Sequence, residues 1–257
     1  MSFPNTLQGH FGQEKETSTS KKRRIGTRMI LPDGRIYYYG SAGEAITAGK
    51  IAMQKATASD HIKDLAVASA AAANAQQIVL TNGGSTAISG SAFYTGTATD
   101  VGDYEDGYLF INDVAGEGQI WNIRRHSAAA TGASLTIDLH ENDFVATALT
   151  TSSQAGLAKS IYTSAEVWDV NDIDGVVVGI PNRDIASGSY GWFQTAGACA
   201  VLTNGTFVVG NQFMTGSTTD GSGDVAADNM SAEILLGSVI NVAASTEYSL
   251  VDLNIRS

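Results

Sequence analysis

The chain has 257 residues, enough to bury a substantial core as one large domain or two smaller ones, and only 16% of them are charged against 43% hydrophobic. A single cysteine excludes an intrachain disulfide and a cysteine-based metal site, and the absence of any run of about 18 apolar residues excludes a membrane-spanning helix, so no membrane partner is expected. The net charge of −11 is unevenly spread: residues 1–35 hold seven Lys/Arg against three Asp/Glu, about +4, which leaves 8 basic and 23 acidic side chains, or −15, for the rest.

Residues 1–27 read as an extended basic arm. They lack apolar periodicity and carry Lys21-Lys22-Arg23-Arg24, with Arg28 just beyond. Such a segment is expected to order only against a partner. Runs of this kind also occur in nucleic-acid-binding proteins. On an acidic chain the preferred reading is a solvated stretch or one that docks on an acidic neighbouring surface, through Lys21, Lys22, Arg23, Arg24 and Arg28, with no nucleic acid as partner.

From residue 28 the pattern turns to β. Met29-Ile30-Leu31, the turn Pro32-Asp33-Gly34-Arg35 and Ile36-Tyr37-Tyr38-Tyr39 predict a hairpin. Ile46 to Ala52 predicts a further turn and strand. Residues 56–77 are Ala-rich, and short strands around a connection are preferred there over a helix of about three turns. Tyr108–Asp113 and Gln119–Arg124 flank the glycines of Val114–Gly118 as a hairpin, and Ser134–Leu139 alternates as a half-buried strand. Val176–Ile180, Phe207–Gly210, Ile234–Ile240 and Tyr248–Ile255 complete the strand candidates. Gly188–Gly197 is a β segment punctuated by glycine and aromatics. The expected fold is all-β: a sandwich or barrel-like body of short antiparallel strands with an extended N-terminal arm. The expected division is 1–27, 28–130 and 131–257, the last two open to being one continuous domain.

Chemistry-bearing residues do not assemble into a motif. The four histidines have no metal-ligand spacing, and His126 reads as a polar strand end. Cys199 lies in an apolar run and reads as a small buried hydrophobe. Ser189 sits in Ser187-Gly188-Ser189-Tyr190-Gly191, which lacks the first glycine of a nucleophile elbow. Acidic residues crowd loops at 100–106, 169–174 and 220–224. Asp169–Gly175 has the spacing of a calcium loop, but Ile173 takes the fifth ligand position, so solvated turns are preferred. Two of these carboxylates acting on a polysaccharide are a minor alternative. Catalytic residues, cofactors and metals are therefore expected to be none, and Trp121, Tyr190 and Trp192 are assigned to packing.

Three segments together carry a resemblance: Gly107–Asp113, Gly116–Ile123 and Tyr190–Gly197, with Gly26–Tyr39, Ala42-Gly43 and Ala48-Gly49-Lys50 similar in style. Over residues 26–255 the chain resembles head-associated structural proteins of tailed bacteriophages, of the capsid decoration or cement type. The resemblance implies a non-enzymatic protein made in the host cytoplasm and placed on the capsid surface of the virion. Its implied partners are the major capsid protein and other copies of itself, commonly as a homotrimer. The alternative is a tail-fibre or receptor-binding virion module, against which stands the lack of a fixed sequence period.

Overall fold

The computed structural model describes residues 6–91, 94, 101–172, 175–225 and 234–256. The fold is all-β: among the described residues its elements are 17 strands and a 3₁₀ turn at Gln13–Lys15. The chain divides into two compact units. Unit 1 combines Met1–Lys55 with Ile161–Ser257, and unit 2 is Ala56–Ser160. The expected cut at residue 130 is corrected, because it falls between two strands that pair with each other, β8 (Ile120–His126) and β9 (Ser134–Leu139). The insertion leaves no compositional mark. Its flanking strands β4 (Ala52–Met53) and β11 (Glu166–Val167) are two residues each and pair antiparallel, so unit 1 stays closed around it.

Unit 2 is a six-stranded sheet in the order β5 (Leu65–Ala66), β10 (Gln154–Ala158), β7 (Tyr108–Asp113), β8, β9, β6 (Gln77–Thr81). A bridge between Val67 and Leu80 brings β6 back towards β5, so the sheet is a nearly closed barrel. Strict alternation explains this. In β9, Leu135, Ile137 and Leu139 point inward while Ser134, Thr136 and Asp138 point out. Leu109, Ile111, Trp121, Ile123, Ile78 and Leu80 complete the interior, each buried side chain contributing roughly 1.5–3 kcal/mol. The Ala-rich run forms no helix. Its backbone groups are taken by other segments instead, Ala68 N–H by Val79 O of β6 at 2.8 Å and Asn74 N–H by Val145 O of the loop after β9 at 2.8 Å, so tertiary pairing overrides helix propensity.

Unit 1 is one eleven-stranded sheet. Its main path runs β1 (Thr6–Gln8), β2 (Arg28–Ile30), β3 (Ile36–Ser41), β13 (Tyr190–Leu202), β17 (Tyr248–Asn254), β16 (Leu235–Asn241), β14 (Gln212–Thr215), β15 (Gly223–Val225). β12 (Val177–Pro181) links β13 to β4. The Asp33-Gly34 hairpin forms as expected, with Gly34 at φ 85°. Phe207–Gly210 is corrected from strand to turn: Val208 and Val209 lie at the surface, and Gly210 at φ 89° ends the segment.

Three corners recur across both units. In each, two residues far apart in sequence exchange both backbone bonds: Ile46 with Ile185 (2.9 and 2.9 Å), Ala71 with Leu149 (3.1 and 2.8 Å), and Ile88 with Ala129 (2.9 and 3.0 Å). Each corner satisfies backbone that a short strand leaves unpaired.

Candidate functional site

Strand β13 organises unit 1. Its first seven residues are buried on both faces, with β3 on one edge and β12 on the other, and from Ala198 its side chains alternate between core and solvent along β17. A bulge between Gln194 and Ala196 separates the halves, and Gly197 beyond it takes φ 84°. The buried Gln194 side chain fastens the bulge. Its Nε2 donates to the carbonyls of Ala196, Gly197 and Ala198 at 3.1, 3.1 and 3.0 Å. Its Oε1 accepts from Tyr37 Oη at 2.9 Å and Asn182 Nδ2 at 3.0 Å.

This network floors a groove of about 610 Å³ bordered by Glu14, Arg35, Asn182, Cys199, Tyr248 and Leu250. Arg35 donates to Tyr37 Oη at 2.8 Å and to Asp33 Oδ2 at 2.6 Å. Burial pushes the Cys199 thiol up to about 12 and raises the Tyr37 phenol as well. Both stay protonated near neutral pH, so neither is an activated nucleophile. Cys199 is the buried hydrophobe expected from its surroundings.

The arm does not stand apart. β1 pairs in parallel with β2, Ser18 exchanges backbone bonds with Tyr190 (3.0 and 2.8 Å), and Ile25 is buried. The expectation that residues 1–27 order only against a partner is corrected for residues 6–27, which lie on unit 1 of the same chain. The reason is an aromatic seat that acts at long sequence range. Tyr39 stacks on Tyr190 at 6.0 Å and meets Trp192 edge-on at 5.2 Å, and the Arg23 guanidinium lies 5.7 Å above the Trp192 ring. Lys22 N–H donates to Tyr39 Oη at 3.0 Å, leaving the Lys22 side chain in solvent. Lys21, Arg24 and Arg28 are half-buried, so the five basic residues do not form one exposed patch. Tyr190 and Trp192 pack in unit 1, and Trp121 packs in the unit 2 barrel with its Nε1 donating to Phe144 O at 2.9 Å.

A solvent face with exposed apolar side chains lies on β13, β17 and β16. The solvent face of β17 carries Tyr248 and Leu250, and their cross-strand partners on β13 are Leu202 and Ala200. Ile240 and Leu235 on β16 are exposed as well. Beside them, the Phe207–Gly210 turn is tied to β16 by Gly210 N–H donating to Val239 O at 2.9 Å, and it presents Val208 and Val209 at 65% and 60% exposure. The apolar part of this face is bounded by polar residues, because Asp252 and Asn254 continue the open side of β17 and Ser238 faces Asp252 on β16.

The acidic loops serve turns where they are described. Asp169 Oδ1 accepts from Asn171 N–H at 2.8 Å, and Asp220 Oδ1 from Val170 N–H at 3.2 Å. Asp100, Ile173 and Asp174 lie outside the described residues. Among the described residues no three His, Cys, Asp or Glu side chains converge as a metal set. Ser189 is a buried turn residue whose N–H is tied to Ala186 O at 3.0 Å. His126 ends strand β8 as expected, but its ring is fully buried, and the fold brings it to the same tyrosine as His61. Comparison with known protein families, with curated proteins and with solved structures finds no match for the chain.

Proposed function

We propose that the chain is a non-enzymatic structural protein of a bacteriophage virion, one that decorates or cements the capsid by binding the major capsid protein shell and neighbouring copies of itself. The observation that carries this reading is the apolar outer face of β13, β17 and β16, with Tyr248, Leu250 and Ile240 in solvent. A sheet normally turns such a face inward, because each Å² of apolar surface removed from water contributes roughly 25 cal/mol. Left outside, it rewards contact with another protein. The resemblance of the Gly/aromatic segments supplies the class of partner, and a trimer on the shell is the assembly it implies. Many copies on a repeating shell would hold through avidity even where each contact is weak.

The test is immunogold electron microscopy of particles from cells that make the protein, with Leu250→Lys as the comparison. Label spread over the icosahedral shell, lost with Leu250→Lys, is the expected outcome. Label confined to tail tips moves the protein to the receptor-binding alternative. Absence from particles overturns both.

A further inference from the structure

Segment 102–107 of unit 2 is a tight acidic turn, Gly102-Asp103-Tyr104-Glu105-Asp106-Gly107, held by two buried histidines on either side of Tyr104. His126 is the more constrained. Its Nε2 lies 3.0 Å from the Tyr104 backbone nitrogen, and its Nδ1 lies 2.9 Å from the Ser127 carbonyl oxygen. A backbone N–H can only donate and a carbonyl can only accept. The ring is therefore neutral, with its proton on Nδ1 and its lone pair on Nε2 aimed at Tyr104. A proton on Nε2 would face the Tyr104 N–H head-on, and there is no room to move aside. A Cβ on Gly102 would already come within 2.4 Å of Nε2, and Ser91 fixes the His126 backbone from the other side, with N–H to Oγ at 3.0 Å.

His61 differs. Its Nε2 faces the Thr86 carbonyl at 3.1 Å, and its Nδ1 faces Tyr104 Oη at 2.7 Å. A hydroxyl can rotate from donor to acceptor, so the His61 contact with Tyr104 does not fix which of the two atoms carries the hydrogen.

We infer that His126 is an acid-sensitive latch: protonation of its Nε2 expels the Tyr104 N–H, releases the 102–107 turn and opens unit 2. The charges that face the ring are Asp103 and Glu105, both of which favour its protonation. Arg125, next to it on β8, is held by Asp138 at 2.6 Å, and Asp60 lies on the His61 side, 3.8 Å from His61 Nε2. Burial outweighs the two carboxylates and keeps the His126 pKa below its ordinary value. The sign follows. The opened chain binds a proton near pH 6.5, whereas the closed one resists it. The latch is therefore fully engaged above about pH 6.5 and weakens as pH falls, by up to about tenfold in the opened fraction per pH unit until the folded pKa is passed.

The experiment is amide hydrogen exchange on the full chain between pH 7 and 4.5, corrected for the intrinsic pH dependence of exchange. It compares the natural protein with His126→Gln and with His10→Gln, a change at an exposed site. The expected result is protection of residues 102–107 that falls up to about tenfold per unit below about pH 6 in the natural protein and in His10→Gln. In His126→Gln it stays flat. Constant protection in the natural protein, or the same fall in His126→Gln, overturns the latch. Should His126→Gln fail to fold, nitrogen NMR of the natural protein decides. A lone pair on His126 Nε2 at pH 7, with Tyr104 amide protection lost in step with the ring's titration, supports the latch. A ring that titrates near pH 6.5 while that amide stays protected overturns it.

Discussion

Unit 2 rolls its sheet up until the apolar side is enclosed, whereas unit 1 spreads eleven strands and leaves one apolar face of β13, β17 and β16 in solvent. Both use the same materials: short strands, glycine turns and the paired corners at Ile46/Ile185, Ala71/Leu149 and Ile88/Ala129. The difference lies in what alternates. In β9 the outward residues are Ser134, Thr136 and Asp138, so solvent is the natural neighbour of that face. In β17 the outward residues are Tyr248, Leu250, Asp252 and Asn254, so water is a poor neighbour of its first half and a natural one of its second. The barrel also leaves Ile120, Phe144 and Tyr108 in solvent, so the contrast is between β9 and the first half of β17 and not between the two sheets as wholes.

The contrast predicts its largest effect inside the barrel. Trp121→Ala should cost about 3–5 kcal/mol in urea unfolding, since it removes a buried indole and leaves Phe144 O without its donor. A loss below about 1 kcal/mol would mean that the barrel interior collapses to fill the space and is less tightly packed than its alternation implies. Next comes Gln194→Leu in unit 1, which strips the bulge carbonyls of Ala196, Gly197 and Ala198 of their donor and leaves the Tyr37 hydroxyl without its acceptor, while Asn182 Nδ2 keeps Tyr37 Oη at 2.8 Å. The expected cost is about 2–4 kcal/mol, from buried polar groups losing partners at roughly 1–3 kcal/mol each. A neutral result would show that backbone pairing with β3 and β17 alone sets the bulge.

The open face should behave oppositely. Leu250→Ser removes a side chain that is already 38% exposed, so stability should change by less than about 1 kcal/mol. Binding to shells should nevertheless be lost, as read by co-sedimentation with particles. A stability loss comparable to that of Trp121→Ala would place Leu250 in the core of unit 1 and remove the contrast between β9 and β17.

Much of this could be read from the residues. The hairpin at Asp33-Gly34 and the one across Gly116 and Gly118 were legible because a turn needing positive φ announces itself with glycine. The strand at Ser134–Leu139 was legible because its alternation is strict. Three things were not. Phe207–Gly210 has β-forming residues in a turn, and only the burial of Phe207 against exposed Val208 and Val209 separates the two. The alternation of β17 was legible, but that Tyr248 and Leu250 lie on its open side was not, because the sequence records polarity and not which neighbour covers a face. The insertion of unit 2 and the meeting of His61 with His126 depend on long-range pairing, which one sequence does not display.

The smallest expected effects concern the arm, where they separate two uses of positive charge. Arg23 lies over the Trp192 ring, and a half-exposed cation–π contact contributes about 0.5–1 kcal/mol. Arg23→Ala should therefore lower the stability of unit 1 slightly. Lys22 differs, because its backbone N–H is bonded to Tyr39 while its side chain stands in solvent. Lys22→Glu should leave thermal stability unchanged within about 0.5 kcal/mol, as surface substitutions do. If the arm's charge serves attachment, Lys22→Glu should also weaken shell binding at low salt and lose that effect as salt rises and screens the contact. Equal binding by Lys22→Glu and the natural protein at every salt concentration would assign the arm's basic residues to holding the chain's own aromatic seat. The apolar face of β13, β17 and β16 would then be the sole contact that the proposed attachment requires.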